Sequence, residues 1–354
     1  MSAKGKKVFV GLSGGVDSSV AAYLLKKEGY DVTGVFIKVW QPDFVACTWQ
    51  EDRLFAMRVC AELDIPFLTL PLEEVYKKEV IDYMIEEYRV GRTPNPDVLC
   101  NREVKFGAFL HFAKKEGADY IAIGPTAQNI FNDKTKEWEL HRSHDSKKDQ
   151  TYFLWTLSQE VLEEVLFPVG HLTKAHVRAI AEKNNLPTAY KKDSQGLCFI
   201  SNVDMKEFLK HYIPEKRGDV LNEKGEVVGF HDGATFITLG ERHGFTISTK
   251  TPHDQPYYVV HKNMMDNTLT VGHNGPTVLP SGNIALANTH FVSTHFEQVC
   301  VKVQSRYHGA LAEASLNKHA DRYSVTLRES LSVSPGQSLV FYSGEVCIGG
   351  GVIV

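Results

Sequence analysis

The chain begins with a stretch that leaves little freedom for the fold around it. Residues 7–19 read KVFVGLSGGVDSS. Lys7 to Val10 suit a buried strand. Gly14 and Gly15 then permit a turn that side chains would block. Asp17, Ser18 and Ser19 are residue types that cap helices. From Val20 to Lys27 the apolar spacing is helical, and Gly29 stops the run. A strand, a glycine turn and a helix start together make an anion site. Backbone N–H groups point outward there, and the helix dipole favours negative charge. The expected guest is phosphate. An ordinary glycine turn is the alternative, and the flanking hydroxyls speak against it.

No Gly-Lys-Ser/Thr follows, so the stretch is not a Walker loop, and its spacing is not G-x-G-x-x-G. Ser13-Gly-Gly-Val-Asp-Ser18 instead resembles the pyrophosphate loop of the ATP-pyrophosphatase superfamily. That resemblance implies cleavage of ATP between its α- and β-phosphates, with AMP left on a substrate oxygen.

Beyond the loop, strand and helix patterns alternate. Strands are expected at Asp31 to Val39, Pro66 to Leu70 and Asp119 to Gly124. Helices are expected at Glu51 to Leu63, around Val75 to Tyr88, and from Cys100 to Lys115. The rhythm predicts an α/β fold, a doubly wound parallel sheet. Ligands of such sheets sit beyond the carboxyl ends of the strands, where the glycine loop and Gly124 both lie. Asn129 to Arg142 interrupt with a hairpin turning near Asn132-Asp133. Helical patterns return at Ser158–Leu166 and Lys174–Asn184. From about Pro214 short β-rich runs alternate with turns. The last part holds strands at Val301–Tyr307, Tyr323–Leu327 and Gln337–Tyr342, the texture of a small antiparallel barrel. The expected division is 1–202, a small β-rich central domain over 203–276, and a C-terminal β-barrel over 277–354.

Of the residues, 43% are hydrophobic and 23% charged, which suits a globular chain. No signal peptide and no membrane-spanning run is evident, so a cytoplasmic setting with reduced thiols is expected. The net charge of −4 speaks against general polyanion affinity but allows a local basic groove. Cys47, Cys60, Cys100, Cys198, Cys300 and Cys347 form no C-x-x-C pair, so no metal centre is expected.

Two of the cysteines stand in unusual loops. Residues 91–107 read GRTPNPDVLCNREVKFG. Pro94 and Pro96 stiffen the loop around Asn95, and Asp97 follows. Cys100 then falls near a helix start with Arg102 and Lys105 close in sequence, a setting that favours thiolate. A buried structural cysteine is the competing interpretation. Residues 191–200 read KKDSQGLCFI and place Cys198 in a polar, glycine-containing loop beside two lysines. Two reactive cysteines beside an ATP site point to sulfur chemistry.

With these residues the chain resembles the tRNA-specific 2-thiouridylases over nearly its full length. The resemblance rests on Ser13–Ser18, Thr93-Pro-Asn-Pro-Asp-Val-Leu-Cys-Asn101, Lys148-Asp-Gln150 with Tyr152-Phe-Leu154, Asp193-Ser-Gln-Gly-Leu-Cys-Phe199, Ser334-Pro-Gly-Gln337 and the Gly349–Gly351 tail. It implies replacement of the 2-oxygen of a tRNA wobble uridine by sulfur. By position it implies that Gly11, Leu12, Ser13, Gly14, Gly15, Val16, Asp17, Ser18, Ile37 and Gly124 hold ATP with its Mg2+. Asn95, Pro96 and Asp97 would face the target base. Cys198 would carry a persulfide and Cys100 would be its nucleophilic partner, the two closing a disulfide as sulfur is released. Lys148, Asp149, Gln150, Arg306, Tyr307 and Gln337 would contact tRNA, and a sulfur carrier protein would supply the persulfide.

Pro125 stands where the family has a histidine that approaches tRNA, so it belongs to the tRNA-facing set by position only. Phe55, Pro71, Glu241 and His243 also depart from the family's usual residues. Two other interpretations compete: an amidotransferase-type ATP pyrophosphatase, which needs neither cysteine, and a catalytically weak tRNA-binding relative, which Pro125 favours.

Overall fold

In this computed structural model the described residues are 4–45, 49–192, 204–248, 255–275, 281–293, 300–319 and 322–354. The first unit is built on β1 (Lys7–Gly11), β2 (Asp31–Lys38), β3 (Phe67–Pro71) and β4 (Tyr120–Ala122). The hairpin β5 (Ala127–Asn132) and β6 (Glu137–Arg142) follows, then the two-residue β7 (Val165–Leu166). The sheet order is β3-β2-β1-β4-β7, and every pairing in it is parallel. The order reverses direction between β1 and β4, so a crevice opens beyond their carboxyl ends.

Helix α1 (Val16–Glu28) buries Val16, Val20, Ala21, Ala22 and Leu25 on one face of this sheet. Burying Val20 and Leu25 contributes roughly 1.5–3 kcal/mol each. Gly29 ends the helix at φ 94°, with the Tyr30 N–H reaching back to the Leu25 carbonyl at 3.2 Å. Helix α2 (Trp49–Glu62) follows β2. The other face is covered by two long helices, Glu73 to Arg89 and Pro96 to Lys115, each widened in the middle by a π segment.

One sequence expectation is corrected here. The helix expected over Ser158–Leu166 is only Gln159–Glu163, because Val165 and Leu166 pair with Ile121 and Ala122 and complete the sheet. The β-branched, fully buried Val165 fits that strand better than a helix end. A short helix, Met205–Lys210, was not expected; the Asp204 carboxylate caps it by accepting from the Lys206 and Glu207 N–H groups.

The central sheet runs Phe245–Ile247, Val227–His231, Gly218–Leu221, Thr268–Gly272, Tyr258–Asn263. It is mixed, with Thr268–Gly272 parallel to Gly218–Leu221 and the other pairs antiparallel. The C-terminal unit is an antiparallel barrel of six strands, closed where Asn283–Phe291 pairs with Val346–Ile353. Closure covers the edge over residues 349–353 and leaves the start of Val346–Ile353 available to another strand.

The β5–β6 hairpin turns where the sequence indicates, yet it does not join the parallel sheet. It adds to the barrel, with Val346 opposite His141 and Cys347 opposite Leu140. The segment after it reaches the same way. Trp155 packs where a Cβ on Gly350 would lie 2.8 Å from its ring, and its Nε1 donates to Ser338 Oγ at 3.1 Å. The glycine tail is therefore the seat of a buried tryptophan.

Candidate active site

The glycine loop is held from below and behind. The Leu12 N–H donates to the Val35 carbonyl at 2.8 Å, which carries the chain out of β1. Gly14 takes φ 73°, and a Cβ there would lie 2.4 Å from the Asp52 carbonyl oxygen. The loop therefore lies directly against the first turn of α2, closer than any side chain allows.

The helix cap differs from expectation. α1 starts at Val16 with Gly15 as its cap residue, and no side chain caps it. Ser18 and Ser19 lie inside the helix and donate their hydroxyls to the Gly15 carbonyl at 3.1 and 2.8 Å. The Ser13 N–H donates to Ser18 Oγ at 3.3 Å, which folds the loop onto the first turn. Without a side-chain cap, the helix start remains open to an anion.

Gly124 follows β4 and abuts this start: a Cβ on it would lie 3.1 Å from the Ser18 nitrogen. Gly11 and Ile37 sit in the adjoining strands, with Ile37 nearly buried. Two lysines complete the surroundings, and the sequence offered no signal for the first. Lys174 opens the helix Lys174–Lys183 and grips both Asp17 oxygens at 2.8 and 2.6 Å. Lys191 pairs with Asp52 at 2.5 Å and lies over the Phe55 ring. The chain thus enters residues 193–203 from a point tied to the wall of the glycine loop. Cys198 and the rest of that stretch lie outside the described residues, as does Cys47.

The second cluster is the proline loop. Asn95 caps the helix that starts at Pro96, accepting from the Val98 N–H at 3.3 Å, with proline at the first helical position. Asp97 lies in the first turn. Cys100 is the fifth residue of that helix and begins its π segment, a widening often found at functional sites. It is not on a polar surface: its exposure is 1%. Of its positive neighbours, Lys105 donates to Asn101 Oδ1 at 3.0 Å and Arg102 pairs with Glu103 at 2.6 Å. The thiol is held inside the protein at a rigid helix start.

The segment 148–150 turns inward. Asp149 is buried, and its carboxylate accepts from Arg142 Nε at 2.8 Å, the Ser143 N–H at 3.1 Å and the Thr151 N–H at 3.3 Å. Gln150 Oε1 accepts from the Thr126 N–H at 3.1 Å, and the Gln150 N–H returns to the Thr126 carbonyl. The Lys148 carbonyl accepts from the Thr126 hydroxyl. Pro125 is buried beside this ladder. Pro125 and the Asp149 carboxylate therefore face inward.

Arg306 is exposed, and Tyr307 is half-buried with its ring 4.6 Å from that of Phe153. Burial, with Asp149 and Asp97 nearby, pushes the Tyr307 hydroxyl up to about 12. Gln337 does not reach outward. Its Nε2 donates to the Thr93 and Pro94 carbonyls at 2.8 and 3.2 Å. The proline loop and the barrel are therefore in direct contact, which their distance in sequence hides.

Comparison with known proteins accords with this arrangement. Residues 6–202 match the family model of the tRNA methyl transferase HUP domain. Residues 206–273 match that of the tRNA methyl transferase PRC-barrel domain, and 281–353 that of the aminomethyltransferase beta-barrel domain. The tRNA-specific 2-thiouridylase MnmA of Oceanobacillus iheyensis is 43% identical over 358 residues, 99% of this chain and 95% of the relative. That of Colwellia psychrerythraea is 44% identical over 360 residues, covering 98% and 95%. That of Vibrio cholerae is 44% identical over 358 residues, covering 98% and 96%. Matched along all three of its units, the chain belongs to the tRNA-specific 2-thiouridylase family.

Proposed function

We propose that this tRNA 2-thiouridylase activates its uridine at the glycine loop and delivers sulfur through Cys198 and Cys100. The activity itself, an ATP-using tRNA 2-sulfurtransferase, follows from family membership. The observation that carries our assignment of the ATP site is the uncapped start of α1 at the sheet's switch point, with Gly124 against it. Phosphates fit there because backbone N–H groups at the uncapped helix start face the loop, with the Ser13 and Ser18 hydroxyls beside them. Gly11 to Ser18, with Ile37 and Gly124, are assigned to ATP. Magnesium arrives with the nucleotide, and Asp17 in the first turn is its candidate ligand, steadied by Lys174. Asn95, Pro96 and Asp97 are assigned to the target base. Lys148, Gln150, Arg306 and Tyr307 are the remaining tRNA-facing candidates, and Gln337 serves them by holding the proline loop.

The chemistry explains why ATP and two thiols are needed. A carbonyl oxygen leaves poorly. The uridine 2-oxygen therefore attacks the α-phosphorus and expels pyrophosphate. The terminal sulfur of a Cys198 persulfide then adds at C2, and AMP departs with the oxygen. The Cys100 thiolate attacks Cys198 Sγ, which leaves sulfur on C2 and closes a Cys100–Cys198 disulfide. A thiol reductant reopens the disulfide, and a sulfur carrier protein reloads Cys198. The base must leave its stack to reach the helix start, at least cost in single-stranded RNA. The units are taken as 1–202, 203–276 and 277–354. No helix among the described residues is long and apolar enough to cross a membrane, and we assign the reaction to the cytoplasm, where ATP and tRNA meet.

The test incubates the protein with ATP, labelled persulfide donor and tRNA, and follows the label and the wobble nucleoside by mass spectrometry. Cys198→Ser should release pyrophosphate with tRNA but carry no label. Cys100→Ser should carry label and fail to turn over. Normal thiolation by Cys198→Ser overturns the assignment of roles.

A further inference from the structure

The segment leading into the proline loop is gripped by both of the other units. From the barrel, the Pro335 carbonyl accepts from the Thr93 N–H at 2.9 Å, and Gln337 holds the next two carbonyls. A Cβ on Gly336 would lie 2.9 Å from the Thr93 backbone, so the contact is backbone on backbone. From the central unit, Thr235 Oγ1 donates to the Tyr88 carbonyl, and Thr93 Oγ1 donates to Thr238 Oγ1 at 3.1 Å. Met264 occupies the space above Gly91, where a Cβ would meet its side chain at 2.5 Å. Lys262 extends from the strand Tyr258–Asn263 and donates its ammonium to the Gly91 carbonyl at 3.1 Å and to the Ile237 carbonyl.

Lys262 binds two backbone carbonyls from two different units, and Arg89 adds a second cationic contact to the Tyr212 carbonyl at 3.1 Å. Burial pushes its pKa down to about 8, against the opposing pull of Glu241. A lysine held there acts as a rivet: three donors on one nitrogen satisfy carbonyls that a turn leaves unpaired. Gly91 itself is at φ 81°, the left-handed turn that ends the preceding helix, so its carbonyl direction sets where Arg92 to Asn95 go. Four residues on, Asn95 caps the helix that carries Asp97 and Cys100.

We propose that Lys262 is a positioning residue for thiolation: it fixes the Gly91 turn, and through it the register of Asn95, Asp97 and Cys100, without touching RNA. The central unit is then part of the catalytic geometry. This rests on the assignment of Asn95–Asp97 and Cys100 to the reaction.

The test compares Lys262→Met, which keeps the stem and loses the donors, with Lys262→Arg, which restores donors. Steady-state thiolation is measured against tRNA concentration, and backbone hydrogen exchange is followed over residues 88–99. A misplacement of about 1 Å at a reacting group costs up to about 100-fold, so kcat in Lys262→Met should fall roughly 10- to 100-fold. KM for tRNA should stay within about twofold, exchange over 88–99 should quicken, and Lys262→Arg should recover much of kcat. A raised KM with unchanged kcat would mean that Lys262 contacts RNA and would overturn the proposal. So would unchanged exchange over 88–99, or a kcat loss that Lys262→Arg leaves as deep. If exchange quickens while kcat holds, Lys262 fixes the turn but the turn does not serve the chemistry, and the proposal fails. Asn95→Ala and Asp97→Ala run in parallel: if they thiolate normally, the base-loop assignment itself is at fault, whereas the exchange data judge Lys262 alone.

Discussion

Gly14→Ala isolates what the glycine loop requires. The substitution has two costs that the structure sets separately. An alanine at φ 73° adopts the left-handed region, at roughly 1–2 kcal/mol. Its Cβ would also lie 2.4 Å from the Asp52 carbonyl oxygen. Ordinary contact begins near 3.4 Å, so the loop or α2 must retreat by about 1 Å. Overpacking of that kind costs about 1–3 kcal/mol. The sum, about 2–5 kcal/mol, predicts a fall in Tm of roughly 5–15 °C for a unit of this size. A 1 Å displacement of a phosphate cradle predicts a loss of up to about 100-fold in pyrophosphate release. Gly15→Ala is the control. Gly15 has φ −95°, and a Cβ there meets only Ser13 Oγ, at 3.4 Å. It should hold its Tm within about 2 °C. Calorimetry and a coupled pyrophosphate assay read both variants. If Gly14→Ala matches the unaltered protein in Tm and in pyrophosphate release, the close approach to α2 does not shape the loop and the reasoning fails.

Three further outcomes follow from particular contacts. Lys174→Met removes the cation that holds both Asp17 oxygens and should lower tRNA-dependent pyrophosphate release about 10-fold or more, at a stability cost of roughly 1–2 kcal/mol; unchanged release would take Lys174 out of the site. Asp149→Ala leaves Arg142 and two backbone N–H groups without their buried acceptor and should destabilise the hairpin–barrel junction by about 3–5 kcal/mol, seen by urea titration without any RNA; a stable variant with weakened tRNA binding would make Asp149 an RNA contact instead. His231 is buried, its Nδ1 accepts from the Gly233 N–H, and burial holds its pKa below the ordinary 6.5, so the neutral ring is the folded form. The stability it contributes is complete above about 6.5 and is lost as pH falls from there through the folded-state value. His231→Gln, which can still accept from Gly233, should flatten that part of the acid slope in urea melts of the central unit, and an unchanged slope would assign the slope to other groups.

Much of the active region is written locally. A strand, Gly14-Gly15 and a helical run form one continuous unit, so its role at the head of a parallel sheet can be read from neighbours in sequence. The same holds for Asn95-Pro96, where a capping side chain and a proline at the first helical position declare a helix start. Local pattern also misleads where two states compete over few residues. Val165 and Leu166 continue a helical periodicity but are claimed by β4, because a buried sheet edge outweighs a weak helix end.

What no local pattern contains is partnership at a distance. Lys174 reaches Asp17 across 157 residues, and Gln337 reaches Thr93 across 244. The hairpin of β5 and β6 is visible as a hairpin, yet only the barrel's open strand at Val346 and Cys347 decides which sheet it joins. Cys100 shows the division most plainly. Its place near a helix start follows from Pro94 to Pro96, whereas its burial depends on which surfaces close over that helix. Backbone preference acts over a few residues and is encoded in them. Desolvation and charge pairing depend on what packs alongside, and only the assembled tertiary structure specifies that.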